Sequence, residues 1–358
     1  MSTILIDRRK AEAAAHGGAV LGGGGGGSLK EGLERASLAV QLGRVALKSL
    51  DELDDDDLVV TASAVGAPAA KDQCVRPVDH IKSLDLLVDQ FPGKIAGIIS
   101  NENGGSSGVN GWLQAVVRGL PMIDAPANGR AHPTGLMGAM GIHRIEGYRS
   151  IQTAVGGDHE AGRYLEMVAR GGLEVAANLV RYASIQAGGL VAVSRDPIQA
   201  AYLREHAAPG GTSYAIRVGE EMMAASTMGS EAMIEAIVSV LGGSIACRGE
   251  IVKLRIETVG GYDIGSAVVQ GDNRCELIFW NEFMTMEIDG QRQGTFPDLM
   301  TLLSLETGLP VSSAEIAQGD AVAVLFAARG QIPLGAGVKL PETIQEAERA
   351  IGKPLLDP

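Results

Sequence analysis

The sequence has little of several features that define common protein classes. Its three cysteines, Cys74, Cys247 and Cys275, are odd in number and far apart, which excludes a disulfide framework and a compact zinc motif. Aromatic residues make up only 4% of the 358 residues, so aliphatic, small and methionine side chains must fill the core. No apolar run approaches the length of a membrane span. We therefore expect a globular protein with no membrane partner.

Positive charge is also scarce, and this limits the partners of the protein. The formal net charge of -13 argues against nucleic acid or an anionic membrane as a general partner. Part of the acidity is local, because residues 54–57 are four consecutive aspartates, which are typical of a solvated loop. Near the N-terminus, the basic residues 8–10 are followed by Glu12, His16 and glycines, which do not form a signal-peptide core. The prediction is a soluble cytoplasmic protein.

The length of the chain predicts two domains. We place an N-terminal α/β domain at 1–157 and a C-terminal domain at 158–358. Residues 158 to 242 are predicted to be mostly helical. From 244 to about 296, alternating residues and the turn Asp289-Gly290 indicate a small antiparallel β module. The following "PDLMTLLSLETG" is predicted as a helix and "AVAVLFAA" as a strand.

Glycine is abundant in one place, the run "LGGGGGGS" at residues 21–28. The flanking sequence predicts a helix before the run and another after it, the second starting at Ser28 with a capping-box partner at Glu31. Backbone N–H groups before a helix can bind an anion, which makes Gly24 and Gly25 candidate ligand contacts. The run matches neither a phosphate loop nor a dinucleotide fingerprint, so a close-packed or flexible loop is the alternative.

Two strands with a helix between them predict a parallel βαβ unit. "DLVVTASAVGAP" also indicates a strand, "KIAGIIS" (94–100) indicates the first strand of the unit, residues 109–120 have helical spacing, and "PMIDA" indicates the second. Ligands of such sheets bind where the strands end. Two polar groups follow the two strand ends, and we expect them to converge: Asn101, Glu102 and Asn103 with Gly104 and Gly105, and Asp124, Asn128, Arg130 and His132.

Each of these side chains has a functional and a structural interpretation. Glu102 is either a general base or metal ligand, or a carboxylate bound to loop N–H groups. Asp124 is either a catalytic or orienting acid or a cap, and Arg130 either clamps a substrate carboxylate or pairs with Asp124. His132 is a ligand contact or a structural histidine. A metal site made of Glu102, Asp124 and His132 is the further option, although no compact His/Cys motif supports it.

Three further positions come from the predicted β module. Asn281 and Glu282 interrupt an apolar strand in "NEF", and on a strand one of them should face inward, toward a ligand or a domain interface. Asp298 follows Pro297 and is expected to place negative charge at a helix start. Cys275 lies on a strand without a neighbouring base and is expected in the core.

Taken together, these stretches resemble the S-methyl thiohydantoin desulfurase family. The resemblance covers nearly the whole chain in the same order, and its motifs are "GAVLGGGGGG" (18–27), "VGAP" (65–68), "ENGG" (102–105), "GLPMIDAPANGRAHP" (119–133), "NEF" (281–283) and "FPDLMTLLSLETGLPV" (296–311). It implies an N-terminal α/β domain, a C-terminal domain with a β-rich insertion, and release of methanethiol from an S-methylated thiohydantoin ring. The chain departs from the family pattern at His132 and Thr134, on either side of Pro133, where relatives have an aromatic residue followed by Pro-Glu. It also has "AAKDQCVRP" after "VGAP", without the expected Glu-Lys pair.

The sequence therefore predicts a hydrolase acting on a small cyclic amide or thio-imide, with water attacking a ring carbon. Glu102 is the expected base and Asp124 a second acid, base or orienting group. The expected substrate contacts are Gly24, Gly25, Asn101, Gly104, Gly105, Asn128, Arg130, His132, Asn281, Glu282 and Asp298. The alternatives are a metabolite-binding protein without turnover and an accessory protein of hydantoin or oxoproline metabolism. The sequence leaves cofactor, metal and oligomeric state open; a homo-oligomer is compatible with the Met- and Ala-rich helices.

Overall fold

The computed structural model describes residues 3–67 and 69–355; Pro68, the last residue of the VGAP motif, lies outside them. Two eight-stranded sheets organise the described chain. The strands of the first sheet are β1 (Ile4–Ile6), β2 (Val45–Lys48), β3 (Leu58–Gly66), β4 (Ile95–Ser100), β5 (Met122–Ile123), β6 (Ser150–Gly156), β7 (Leu165–Gly171) and β8 (Leu190–Gln199). The helices are α1 (Arg8–Leu21), α2 (Leu29–Leu42), α3 (Pro77–Asp89), α4 (Trp112–Arg118), α5 (Leu173–Gln186), α6 (Ala200–His206), α7 (Gly211–Ala225), α8 (Ser230–Leu241) and α9 (Pro341–Ile351).

The first sheet has the order β1-β2-β5-β4-β3-β8-β6-β7, with a parallel centre. Strands β2, β5, β4 and β3 run parallel, whereas β1, β8, β6 and β7 join in antiparallel pairs. The predicted βαβ unit is β4-α4-β5. Its helix is shorter than the sequence pattern suggested, because Gly111 (φ 92°) and Gly119 (φ 65°) adopt left-handed conformations at its two ends.

The second sheet is antiparallel throughout, in the order β13-β12-β11-β10-β9-β16-β14-β15. Its strands are β9 (Ser244–Val259), β10 (Tyr262–Gly271), β11 (Arg274–Trp280), β12 (Glu282–Ile288), β13 (Gln291–Thr295), β14 (Leu299–Ser304), β15 (Pro310–Val311) and β16 (Ala321–Ala327). Asp289 (φ 49°) and Gly290 (φ 82°) form the predicted hairpin turn between β12 and β13. Both sheets together confirm the predicted α/β fold with an antiparallel β module.

One secondary-structure prediction was wrong and one was incomplete. The segment after Pro297 is strand β14, because its short apolar run is buried within the second sheet, and periodicity alone does not separate such a strand from a buried helix. The predicted helical region 158–242 contains β7 and β8 in addition to its helices. These strands complete the first sheet beside β6, so that sheet draws strands from both sides of residue 157.

Helix α1 crosses α7 with unusually close backbones. A Cβ added at Gly17 would lie 1.8 Å from the carbonyl oxygen of Ala215, and one at Gly219 would lie 1.9 Å from that of Ala13. Helix α2 begins at Leu29 as predicted, but the Ser28 side chain makes no capping hydrogen bond. Within the described part of the chain, no helix combines the length and the apolar character needed to cross a membrane.

The α1–α7 crossing predicts a large penalty for a methyl group at Gly219. Alanine favours a helix over glycine by about 1 kcal/mol, and overpacking typically costs about 1–3 kcal/mol or more. Because the obstacle is backbone, we expect Gly219→Ala to lower the free energy of unfolding in urea by about 2 kcal/mol or more. Gly330→Ala is the matched control, since no atom lies within 4 Å of the added Cβ. Equal stability of the two variants would contradict the packing account.

Candidate functional site

A cavity of about 120 Å³ opens where β4 and β5 end and the second sheet begins. It lies at the edge of the parallel sheet where ligands of α/β folds bind. The residues around it come from the glycine run, from the loops after the parallel strands, from β8 and from the start of β12. The residues that line the cavity include Gly26, Gly27, Asn101, Glu102, Ser107, His132, Thr134, Arg181, Arg195, Asn281 and Glu282.

The two polar groups predicted to converge do so through Glu102 and His132. An oxygen of the Glu102 carboxyl accepts a hydrogen bond from the backbone N–H of His132 at 3.1 Å and lies 3.3 Å from Nε2 of the same residue. The His132 ring also lies 3.4 Å from the carbonyl oxygen of Asn101. Thr134, at the second departure from the family pattern, accepts a hydrogen bond from the backbone N–H of Met137 at 3.2 Å.

Burial gives Glu102 and His132 unusual proton affinities. It raises the pKa of Glu102 to about 7, although the His132 N–H, the nearby Ser107 and Asn101 side chains and the charge of Arg195 partly oppose the rise. Burial, with the positive charge of Arg195 next in importance, lowers the pKa of His132 to about 3. At neutral pH, Glu102 is thus poised to accept a proton and His132 is uncharged.

Asn281 and Glu282 both face the cavity, although strand alternation predicted only one of them inward. Asn281 has φ 57° and is the single residue between β11 and β12, whose end residues Trp280 and Glu282 pair with each other, so Asn281 and Glu282 do not alternate along one extended strand. The Asn281 side-chain oxygen accepts a hydrogen bond from the backbone N–H of Asp263 at 2.9 Å. The Oε2 atom of Glu282 is buried without a hydrogen-bond partner among the described residues. Burial, reinforced by the nearby Glu102 carboxyl, raises the pKa of Glu282 well above its usual range.

Two arginines of the cavity were missed by the sequence analysis. Arg195 lies on β8 and is buried, and Arg181 lies on α5 and is half-buried. Arg181 donates hydrogen bonds to the carbonyl oxygens of Gly66, Gly261 and Pro133 and lies 4.0 Å from the ring centroid of Tyr262. The signal for Arg195 was a charged residue inside the apolar run "LVAVSRDPIQ", which the helical prediction for this region concealed.

Asp124 and Arg130 follow β5 as predicted but are not among the residues that line the cavity. The Asp124 carboxylate accepts hydrogen bonds from the backbone N–H groups of Thr212 and Ser213 at 2.9 and 3.0 Å, and so caps the first turn of α7. This geometry favours the capping interpretation of Asp124 over the catalytic one.

Arg130 joins the two sheets. It donates to the carbonyl oxygens of Asp298 and Phe283, and its guanidinium carbon lies 4.6 Å from the ring centroid of Phe296. Burial lowers its pKa to about 10, so it stays charged at neutral pH. Two of its donors are thus held by backbone carbonyls, whereas its Nε is buried without a partner among the described residues, and it does not pair with Asp124.

Asn128 and Asp298, two further predicted substrate contacts, form polar contacts within the protein. The Asn128 side chain donates to the carbonyl oxygen of Arg130 at 2.8 Å and accepts from the N–H of Gly335 at 3.2 Å. Asp298 does not start a helix; its carboxylate closes the turn at Thr295 and pairs with Arg329 at 2.9 Å. Cys275 is buried in the core as predicted.

The glycine run adopts the close-packed form. A Cβ at Gly24 would lie 2.6 Å from the Phe283 ring, and one at Gly25 would lie 2.1 Å from Oε1 of Glu282. Gly104 and Gly105 contact the run itself, since their added Cβ atoms would lie 2.4 Å from the Cα of Gly26 and 2.7 Å from the carbonyl oxygen of Gly27. Within the run, only Gly26 and Gly27 border the cavity.

The described residues contain no group of three or more His, Cys, Asp and Glu side chains arranged to hold a metal ion. The metal site considered from the sequence, made of Glu102, Asp124 and His132, is not assembled. Asp124 caps α7, whereas Glu102 and His132 face each other.

Comparisons with known proteins give a family and a fold. Residues 9–160 match the model of the S-Me-THD-like N-terminal domain, and residues 173–332 match that of the S-Me-THD-like C-terminal domain. A crystal structure of a protein from Chromobacterium violaceum has 19% sequence identity and a TM-score of 0.74, covering 98% of this chain and 96% of that one. At this identity, the likeness bears on the fold alone. No curated protein matches the sequence.

The raised pKa of Glu102 predicts how stability depends on pH. Because the folded pKa of about 7 exceeds the ordinary value of 4.5, Glu102 stabilises the fold fully below about pH 4.5, and this contribution is lost as the pH rises through 7. A shift of this size corresponds to roughly 3 kcal/mol between the two limits. Glu102→Gln removes this dependence, so in urea unfolding the variant should gain stability relative to the wild type between pH 5 and pH 8. A difference that is the same at both pH values would contradict the shift.

Proposed function

The chain belongs to the S-Me-THD-like family, and from this membership and the chemistry of its cavity we propose that it hydrolyses a small ring amide or thio-imide of the S-methyl thiohydantoin type. The observation that carries the proposal is the Glu102 carboxyl, buried at the cavity with a pKa of about 7. A general base works best when its pKa lies near the operating pH, and burial supplies that match here.

Glu102 is the base in the proposed reaction. Its carboxylate takes a proton from a water molecule while the water oxygen forms a bond to the ring carbon that carries the S-methyl group and the C=N π pair moves to the ring nitrogen. The tetrahedral intermediate then collapses as the nitrogen pair re-forms the C=N bond and the carbon–sulfur bond breaks with its electron pair going to sulfur. The remaining hydroxyl proton passes to the ring nitrogen, so the carbon becomes a carbonyl carbon beside an N–H. The products are the oxo ring and methanethiol.

Glu282 supplies the proton that the leaving sulfur needs. Burial and the neighbouring Glu102 carboxyl raise its pKa well above the usual range, so it keeps its proton to a higher pH than an ordinary carboxyl does. Two carboxyls whose proton affinities differ in this way divide the roles of acid and base. Glu102 gains one proton from water, and Glu282 loses one proton to the leaving sulfur. Transfer of the proton from Glu102 to Glu282 then restores the starting protonation state of the site.

His132 and Asn101 position the base. The His132 backbone N–H holds one Glu102 oxygen, and the His132 ring, uncharged at neutral pH, leaves the carboxylate free of a competing ion pair. Gly26 and Gly27 border the same cavity, and their lack of side chains lets the loop after β4 pack against them. In the proposed reaction, Glu282 and the remaining cavity residues take the roles that the sequence analysis expected of Asp124 and Arg130.

The first test is release of methanethiol from an S-methyl thiohydantoin offered to the purified protein. We expect Glu102→Gln to lower kcat/KM by about 10²–10⁴-fold, the usual contribution of a positioned general base. In the wild type, kcat/KM should rise with pH through about 7 as Glu102 ionises, and should fall again at higher pH where Glu282 loses its proton. Free thiol is measured directly across pH 5 to 9.

Glu221→Gln, which makes the same change at an exposed position of α7, is the matched control and should keep wild-type rates. Wild-type release that survives in Glu102→Gln would remove Glu102 from its role as base while leaving the reaction in place. Absence of thiol release from the wild type would contradict the proposed function itself.

A further inference from the structure

We propose that two copies of this chain associate through the outer half of β9, which pairs antiparallel with the same strand of the second copy. We call residues 252–259 the free edge of β9. None of them lines the cavity between the two sheets, so this surface is separate from the proposed reaction and does not depend on it.

Strand β9 has neighbours on both sides along only part of its length. Strand β16 pairs with β9 as far as Glu250. The N–H of Ile251 then donates to the carbonyl oxygen of Asp320 at 2.9 Å, and its carbonyl accepts from the N–H of Gly319 at 2.8 Å. Beyond Ile251, β9 pairs with β10 on one side, and no strand of the described chain pairs with it on the other. An unpaired edge of this kind offers its backbone N–H and C=O groups to a further strand.

The free edge also exposes apolar side chains that its sequence pattern would bury. Val252, Leu254 and Ile256 alternate with charged residues, a pattern typical of a strand with one buried face. Leu254 is half-buried against the core of the second sheet, but Val252 is 43% exposed, Ile256 40% and Val259 50%. Scattered apolar residues are normal on a surface, whereas three of them along one unpaired edge indicate that another chain covers it.

The charges of the free edge fit the same strand in a second copy. Arg255 and Glu257 lie on either side of Ile256 along β9. If two β9 strands run antiparallel with Ile256 facing Ile256, each Arg255 faces the partner's Glu257. Opposite charges in facing cross-strand positions stabilise a sheet, and like charges there destabilise it. In this register residue 253 faces 259 and residue 254 faces 258, so nearly the whole free edge is paired.

The free edge suits self-association better than the rest of an acidic surface does. With a formal net charge of -13, two copies repel each other on average, but the free edge carries two positive side chains, Lys253 and Arg255, and one negative, Glu257. Proteins often block an unpaired edge with proline or a bulge, and residues 253–259 contain neither. The charges therefore select the facing strand without excluding every strand.

Disulfide crosslinking tests the register. Facing Cα atoms of an antiparallel pair lie about 4.5–5.5 Å apart, which is within the reach of a disulfide. We expect Ile256→Cys to form a covalent dimer under mild oxidation, seen on a non-reducing gel. Lys253→Cys is the matched control, because its two copies would lie about 20 Å apart in this register and should stay uncrosslinked. The wild type, with Cys247 and Cys275 buried and Cys74 half-buried, gives the background.

Charge exchange tests the identity of the partner. Arg255→Glu and Glu257→Arg each turn both facing pairs into like-charge pairs, so each should raise the dimer dissociation constant about tenfold or more in sedimentation equilibrium. An equimolar mixture of the two variants restores opposite charges across the axis and should regain wild-type association. Glu235→Arg makes the same change at an exposed position of α8 and should leave the dimer intact.

A crosslink at Ile256→Cys together with recovery in the mixture supports the interface. A wild type that stays monomeric over about a hundredfold range of concentration overturns it, even if the free edge binds an added peptide. A dimer that is equally strong in Arg255→Glu and in Glu257→Arg also overturns it, because the copies then meet on another surface. The same holds if the wild type dimerises while Ile256→Cys crosslinks no better than Lys253→Cys, or if the mixture fails to recover.

Discussion

The site depends on the close approach of three backbone segments that only glycine permits. The run at residues 22–27 lies against the loop after β4 and against the start of β12, so that added Cβ atoms at Gly25 and Gly26 would lie 2.1 Å from Glu282 and 2.5 Å from the Cα of Gly104. This contact brings Glu282 from the second sheet to the end of the parallel strands, where Glu102 lies. The glycines thus act by the space they leave, and not by cradling an anion.

Exclusion of water then sets the chemistry of the cavity. Burial disfavours ionised carboxyls, which raises the pKa of Glu102 and, more strongly, that of Glu282. The same burial keeps His132 uncharged and leaves Arg195 without a counter-ion. Glu102 as base, Glu282 as acid and the cation Arg195 thus line the same cavity. Their positions are fixed by the fold before a ligand binds.

The sequence predicted the features that follow from local pattern. The parallel unit, the convergence of Glu102 with His132, and the hairpin at Asp289-Gly290 all rest on periodicity and turn chemistry. The prediction did not extend to contacts that depend on distant segments. Asp124 caps α7, and Arg130 donates hydrogen bonds to the carbonyl oxygens of Phe283 and Asp298. These partners lie at least 80 residues away along the chain. Arg195 was missed because β8 was predicted as helix.

The most direct test of this account is a crystal structure of the protein with an S-methyl thiohydantoin bound. The account predicts that the ring lies in the cavity between the two sheets, with the carbon that bears sulfur facing Glu102 and Glu282. A ring bound elsewhere, or one in this cavity that contacts neither carboxyl, would contradict it.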